Sequence, residues 1–243
     1  MRENKQIFQD FKLLYNKISN PKLVKICIIL TNSIFLTGLL IGVIIAYVFG
    51  PESYNIWDNY ISDLGSFRYT PVPFILDIIA MVTAVLLIPI FFYLSKEILS
   101  KEVPLLLNQN QALSRKIYHL IIIIFGFFGF IALLFTVIGL FGIGLFSEDR
   151  TTELGLHFLF SIVVFSGLTF AALFNGVVIL LKKTIFPKLM GLYMMIGPFT
   201  AGFLFIFPPL YTRPFFEWMM LFAAFLWLIP GALIMFKKII KEY

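Results

Sequence analysis

Six long apolar stretches separated by short polar ones set the pattern of this chain; they occupy residues 26–49, 74–94, 117–141, 154–181, 189–207 and 218–235. Each is close to the ~20 residues that cross a ~30 Å hydrocarbon layer as a helix. Ahead of them, Ile7, Phe8, Phe11, Leu14, Tyr15 and Ile18 recur at helical spacing, with Lys5, Lys12 and Lys17 around them and Pro21 closing the pattern. That spacing predicts an amphipathic helix over residues 1–22, lying on the membrane surface and feeding the first span. Residues 53–65, SYNIWDNYISDLG, are the one dense polar stretch between spans that keeps a periodic apolar face. At about 100° per residue, Ile56, Trp57, Tyr60, Ile61 and Leu64 share an arc, and Asn55, Asp58, Asn59 and Ser62 lie opposite. The pattern predicts a second short surface helix, with Asp63 at its waterline and Gly65 in the C′ position that favours glycine.

Composition supports a membrane architecture. Hydrophobic residues make up 60% of the chain and charged ones 13%, with mean hydropathy +0.96. The predicted fold is all-α: a six-helix transmembrane bundle with 23–243 as one domain and 50–73 as its first outer loop. The lone cysteine, Cys27, lies inside the first span, allows no intrachain disulfide and reads as a small apolar residue. The first span is too long for a signal-peptide core and no A-x-A-like site follows it, so a cleavable signal is not expected. Glycines cluster in the third span (Gly126, Gly129, Gly139, Gly142 and Gly144), where small residues let helices approach closely. Pro89, Pro198 and Pro230 fall within spans.

Charge gives the orientation. With the N-terminus in the cytosol, sixteen of nineteen basic and five of thirteen acidic residues fall inside. Only Arg68, Arg150 and Arg213 are then outside, with eight acids. The positive-inside rule therefore puts both termini in the cytosol of a multi-pass cell-membrane protein. The basic excess reflects topology and attraction to anionic lipid, and without a soluble basic module it gives no reason to expect nucleic acid.

Ionisable groups within spans are expensive and mark candidate sites. Asp77 lies about one turn into the second span and His157 about one turn into the fourth. Glu153 and Ser161 flank His157 at i−4 and i+4, so a continuous helix would align all three. With Asp63, Ser62, Arg68 and Arg213 at similar depth, an outer polar pocket follows, its candidate catalytic residues being His157, Asp63 and Asp77. Such a set suits either a structural ion-pair network or a pocket for acid–base work or a lipid headgroup. Asp63 at a waterline needs a partner, with Arg213 the first choice and Arg68 the second. His119 starts the third span on the opposite side, so the two histidines cannot share a metal, and neither a metal nor another cofactor is expected. Asn32 and Asn175 are expected to bond across helices. No G-x-S-x-G elbow, H-E-x-x-H helix or P-loop occurs.

The segment ISDLG, residues 61–65, in the first outer loop of a six-span chain, with His157 early in the fourth span, resembles a prokaryotic membrane family, domain of unknown function 998. It is also similar to the eukaryotic DRAM, Frag and Sfk group, although Asn59 and Tyr60 stand where that group has prolines. The resemblance implies a six-span fold and a lipid-related role at the outer leaflet. The expected function is thus lipid binding or lipid-related regulation, with membrane lipids and an outer-face protein as partners. The alternatives are an intramembrane lipid hydrolase or acyltransferase built on His157, and a small-molecule transporter. The transporter reading is weakened because no acid sits mid-span and no matched pair of broken helices appears. Topology is directly testable: with intact cells, an impermeant thiol reagent should label a cysteine placed at Ser147 and spare one at Asn110, and the reverse pattern would invert the orientation.

Overall fold

The structure is a computed structural model that describes residues 2–99, 102–107 and 112–242; the side chains of residues 2–5, 7, 8, 11 and 103 lie outside the description. Among the described residues the chain is all helical, with no strand. The helices are α1 (Arg2–Ile18), α2 (Pro21–Phe49), α3 (Phe74–Leu99), α4 (Glu102–Leu106), α5 (Leu113–Leu145), α6 (Leu156–Leu181), α7 (Lys188–Ile206) and α8 (Arg213–Glu242). Six of them, all but α1 and the five-residue α4, are long and apolar enough to cross a membrane. Their outward faces leave Ile26, Leu40, Phe127, Phe158, Phe203 and Leu226 uncovered by protein. Exposure on this scale is what a lipid-facing surface requires, and the chain is a multi-pass integral membrane protein.

Every predicted span is present, most of them extended by a turn or more. Pro21 breaks the first pattern and also starts the next helix. It sits in the first turn of α2, where its missing N–H costs nothing, and Asn20 caps that turn by accepting from the Lys22 N–H at 2.9 Å. Helices α3, α7 and α8 continue through Pro89, Pro198 and Pro230. The predicted N-terminal helix is α1. Its Leu13 and Leu14 are exposed, while Tyr15 packs on Phe92 with ring centroids 5.6 Å apart, so one residue docks α1 on α3. The side chains of Lys5, Ile7, Phe8 and Phe11, on which part of that expectation rests, are among those not described.

The spans form a ring in the order α2, α3, α5, α6, α7, α8, closed by a sparse contact between α8 and α2. Glycines set the closest approaches. A Cβ on Gly139 would lie 2.5 Å from the Val164 nitrogen, and one on Gly167 2.8 Å from the Thr136 nitrogen, so α5 and α6 meet backbone to backbone. Where α6 ends, the Lys188 ammonium donates to the carbonyls of Ile179, Leu180 and Lys182 at 2.6–2.7 Å. One cation thus satisfies acceptors that a helix C-terminus leaves free. Beside it, buried Glu102 accepts from Lys182 at 2.7 Å and meets His119 Nδ1 at 2.8 Å. His119, half-buried near the start of α5, thus hydrogen-bonds a buried carboxyl.

Asn32 and Asn175 depart from expectation. Each donates to the carbonyl one turn back on its own helix, Ile28 and Ala171 respectively, and makes no cross-helix bond among the described residues. Ser147 is buried, so a cysteine for labelling belongs at exposed Thr152 on the same loop. The backbone contact of α5 and α6 yields a prediction. Gly139→Val drives two methyl groups into Val164 and should cost about 1–3 kcal/mol, seen as a lowered thermal transition in detergent. Gly202, around which no atom lies within 4 Å, should accept alanine without loss.

Candidate functional site

One end of the ring carries most of the basic residues and the other most of the acids. The acid-rich end is closed by the loop of residues 50–73. That loop is not the surface helix its periodicity predicts. It is a pair of side-chain-stapled turns followed by one 3₁₀ turn over Ser62–Gly65. The reason is local. Asn55 Oδ1 accepts the N–H groups of Trp57 and Asp58 at 2.9 and 3.1 Å, and Asn59 Oδ1 accepts the Asn55 N–H at 3.0 Å. Asparagine side chains thus take donors that a helix would use, which is why this residue type favours turns.

Asp63 is correspondingly not at a waterline. It is buried, and its Oδ2 accepts the Tyr60 N–H at 2.9 Å and Asn59 Nδ2 at 3.3 Å. Neither predicted arginine reaches it. Arg68 pairs instead with Glu52 at 2.9 Å on the exposed rim, a contact worth little. Arg213 is exposed and makes no ion pair among the described residues. The carboxyl that does meet Asp63 belongs to Glu148. Burial pushes Asp63 above the ordinary carboxylate range. Burial first, and then the facing Asp63, push Glu148 up to about 7. Two carboxyls in contact hold best when they share a proton.

The loop is fastened on both flanks. Toward α8, Glu217 accepts the Ile61 N–H at 2.6 Å and Trp218 Nε1 donates to the Asn59 carbonyl at 3.2 Å. The Thr212 hydroxyl donates to the Trp57 carbonyl, and the Trp57 ring stacks on Phe215 at 4.7 Å. Toward the α5–α6 connection, Asp149 accepts from the Ser66 hydroxyl and the Phe67 N–H, both at 2.7 Å. Arg150 crosses to α3, donating to Asp77 at 2.8 Å and to the Gly144 carbonyl at 2.9 Å.

The predicted pocket is therefore only partly assembled. Asp63, Ser62 and Asp77 gather under this loop, and a Cβ on Gly65 would lie 3.3 Å from an Asp77 oxygen. Glu153 does not join them. Helix α6 starts at Leu156, after Gly155 turns the chain with φ +65°, so Glu153 precedes the helix, is exposed and shares no face with His157. His157 donates through Nδ1 to the Phe146 carbonyl at 2.8 Å, which leaves the lone pair on Nε2, and Nε2 is buried with no partner among the described residues. No acid there lies within hydrogen-bond or ion-pair reach of the ring, so the dyad of His157 with Asp63 or Asp77 is not formed. No group of three or more His, Cys, Asp or Glu that could hold a metal occurs among the described residues.

Glu148, Asp149, Arg150, Asn59 and Glu217 complete the network that the sequence reading assigned to other residues. The N-x-x-x-N-x-x-x-D spacing of Asn55, Asn59 and Asp63 was the available signal for the stapled turns. Nothing local announced that the α5–α6 connection would reach across to the first loop.

Beneath this loop lies an internal cavity of about 170 Å³. Ser62, Ile61 and Glu217 form its roof, and Phe186, Met190 and Met235 its far end. Comparison with models of known protein families, with curated proteins and with solved structures finds no match to this chain.

The raised carboxyl of Glu148, facing Asp63 from an exposed position on its loop, makes the fastening pH-dependent. Unfolded, Glu148 loses its proton near 4.5, whereas folded it keeps it up to about 7. Its contribution is complete below 4.5 and is lost as pH rises through about 7. The thermal transition in detergent should therefore fall between pH 5.5 and 8, and Glu148→Gln should flatten that slope.

Proposed function

We propose that this protein binds a membrane lipid inside its helix ring and that the acid-rich loop face, turned to the outside of the cell membrane, controls or reports its occupancy. The observation that carries this reading is the cavity. It is lined almost wholly by apolar side chains, among them Leu36, Leu87, Phe91, Leu140, Leu168 and Leu228. An apolar space inside a membrane protein suits a hydrocarbon chain and gives a polar solute or an ion little compensation for lost water. Glu217 and Ser62 border the roof and give a headgroup polar partners there. The hydrolase alternative needs a histidine paired with an acid, and the bonding of His157 to the Phe146 carbonyl argues against it.

The test is retention. Protein purified in mild detergent should release, on extraction, one defined lipid class at near one molecule per chain by mass spectrometry. Leu228→Trp, which fills the cavity, should lose it while keeping a cooperative thermal transition. Recovery of only the bulk lipid mixture from both proteins would overturn the proposal.

A further inference from the structure

Inside the cavity the polar groups are not scattered. Contacts fix the relative depth of the helices: Gly38 of α2 meets Ile79 of α3, and Phe35 of α2 meets Phe225 of α8 with ring centroids 5.7 Å apart. Neighbouring spans run antiparallel. Counting from these contacts sets Thr83 of α3 opposite Ile34 and Trp227 of α8 opposite Ser33. At 1.5 Å per residue, Thr31, Asn32, Thr83 and Trp227 then lie within about 5 Å of one depth. The same count makes the cavity about 24 Å long from Leu76 to Met235, with this polar belt near its middle.

The belt is unusual in its bonding. Other span hydroxyls and amides satisfy themselves on the carbonyl one turn back, as Asn32 within the belt, Thr136, Ser161 and Asn175 along the same cavity, and Thr169 do. The other buried indole, Trp218, donates to Asn59. Thr31 Oγ1, Thr83 Oγ1 and Trp227 Nε1 are buried and have no partner among the described residues. All three residues line the cavity and are at least nine-tenths buried, at 9%, 4% and 2% exposure. An unsatisfied buried donor is costly, and three at one depth in one cavity share a single remedy. The indole N–H can only donate, so the remedy is an acceptor.

We infer that the belt of Thr31, Thr83 and Trp227 is a recognition site for the carbonyl group of a neutral lipid. This rests on the lipid-binding reading above and names the ligand chemistry for that same cavity. The carbonyl oxygen sits between Trp227 Nε1 and the two threonine hydroxyls. The chain fills one arm of the cavity. The sparse α2–α8 seam, where Phe35, Leu36, Phe225 and Ile229 also border the cavity, lies at the belt's depth and is the way in. A charged head is disfavoured because the belt offers no ion partner. A quinone ring on an alkyl or isoprenoid tail and the ester of a monoacylglycerol both carry the required group.

The experiment uses the full chain in detergent with three probes of matched tail length: a decyl-substituted benzoquinone, monodecanoylglycerol and an alkane without a carbonyl. The wild type should bind at least one carbonyl probe tenfold or more tightly than the alkane, and the better of the two names the source. Trp227→Phe, which keeps the ring and removes the N–H, should erase that preference and leave alkane binding unchanged, as should Thr83→Val paired with Thr31→Val. Equal binding of all three probes by wild type and variants would overturn the belt assignment while the lipid-binding reading stands. Failure of the wild type to bind any probe would remove both. Thermal unfolding of each variant without probe separates lost recognition from lost folding.

Discussion

A hydrocarbon layer offers no water to a stranded donor or acceptor, and that single constraint accounts for most of what is polar in this fold. It makes the spans helical from end to end. It sends span hydroxyls and amides back onto their own helices. It concentrates charge at the two ends, where Lys188 closes three carbonyls at the end of α6, Lys182 neutralises Glu102 and His119 hydrogen-bonds it. The constraint is strict enough that exceptions stand out. Thr31, Thr83 and Trp227 are exceptions of the same kind in the same place, and the buried Nε2 of His157 is another.

The acid-rich end obeys a related rule with different materials. Residues 50–73 are too polar to enter the layer and too closely fastened to move freely above it. Their backbone donors are taken by carboxyls from two other parts of the chain, Glu217 at Ile61 and Asp149 at Phe67, and by Asp63 of the loop itself at Tyr60. Acids are therefore abundant here because they replace the backbone partners that regular structure would have supplied. This also explains why Asp63, Glu148 and Glu217 tolerate one another with so few cations near. Two of them hold N–H groups, and the third shares a proton.

The spans were legible because their signal is composition over twenty residues, which no local bond can overrule. The ends of helices were less so, since α3 and α8 run on into lysine-bearing turns that still prefer helix. The loop of residues 53–65 misled for a definable reason. Its apolar residues do recur at helical spacing, and Tyr54 and Leu64 are buried as an apolar face should be. Yet Asn55 and Asn59 intercept the backbone donors first, and a periodicity argument does not weigh such bonds. Glu153 failed similarly, because an i−4 relation to His157 holds only if the helix already exists at residue 153, and Gly155 starts it later. The pairing of Arg150 with Asp77 spans 73 positions and leaves no mark in either neighbourhood.

The ring is closed by its first and last spans. Helix α8 meets α2 only sparsely, while every other neighbouring pair is also adjacent in the order of synthesis. As the chain emerges, α2 to α7 can pack in sequence, but they form an open trough whose inner wall faces lipid. Enclosure waits for the final helix, which arrives carrying Trp227, Glu217 and Trp218 together. The interior and its roof thus depend on one helix, and the ring is open along that side without it.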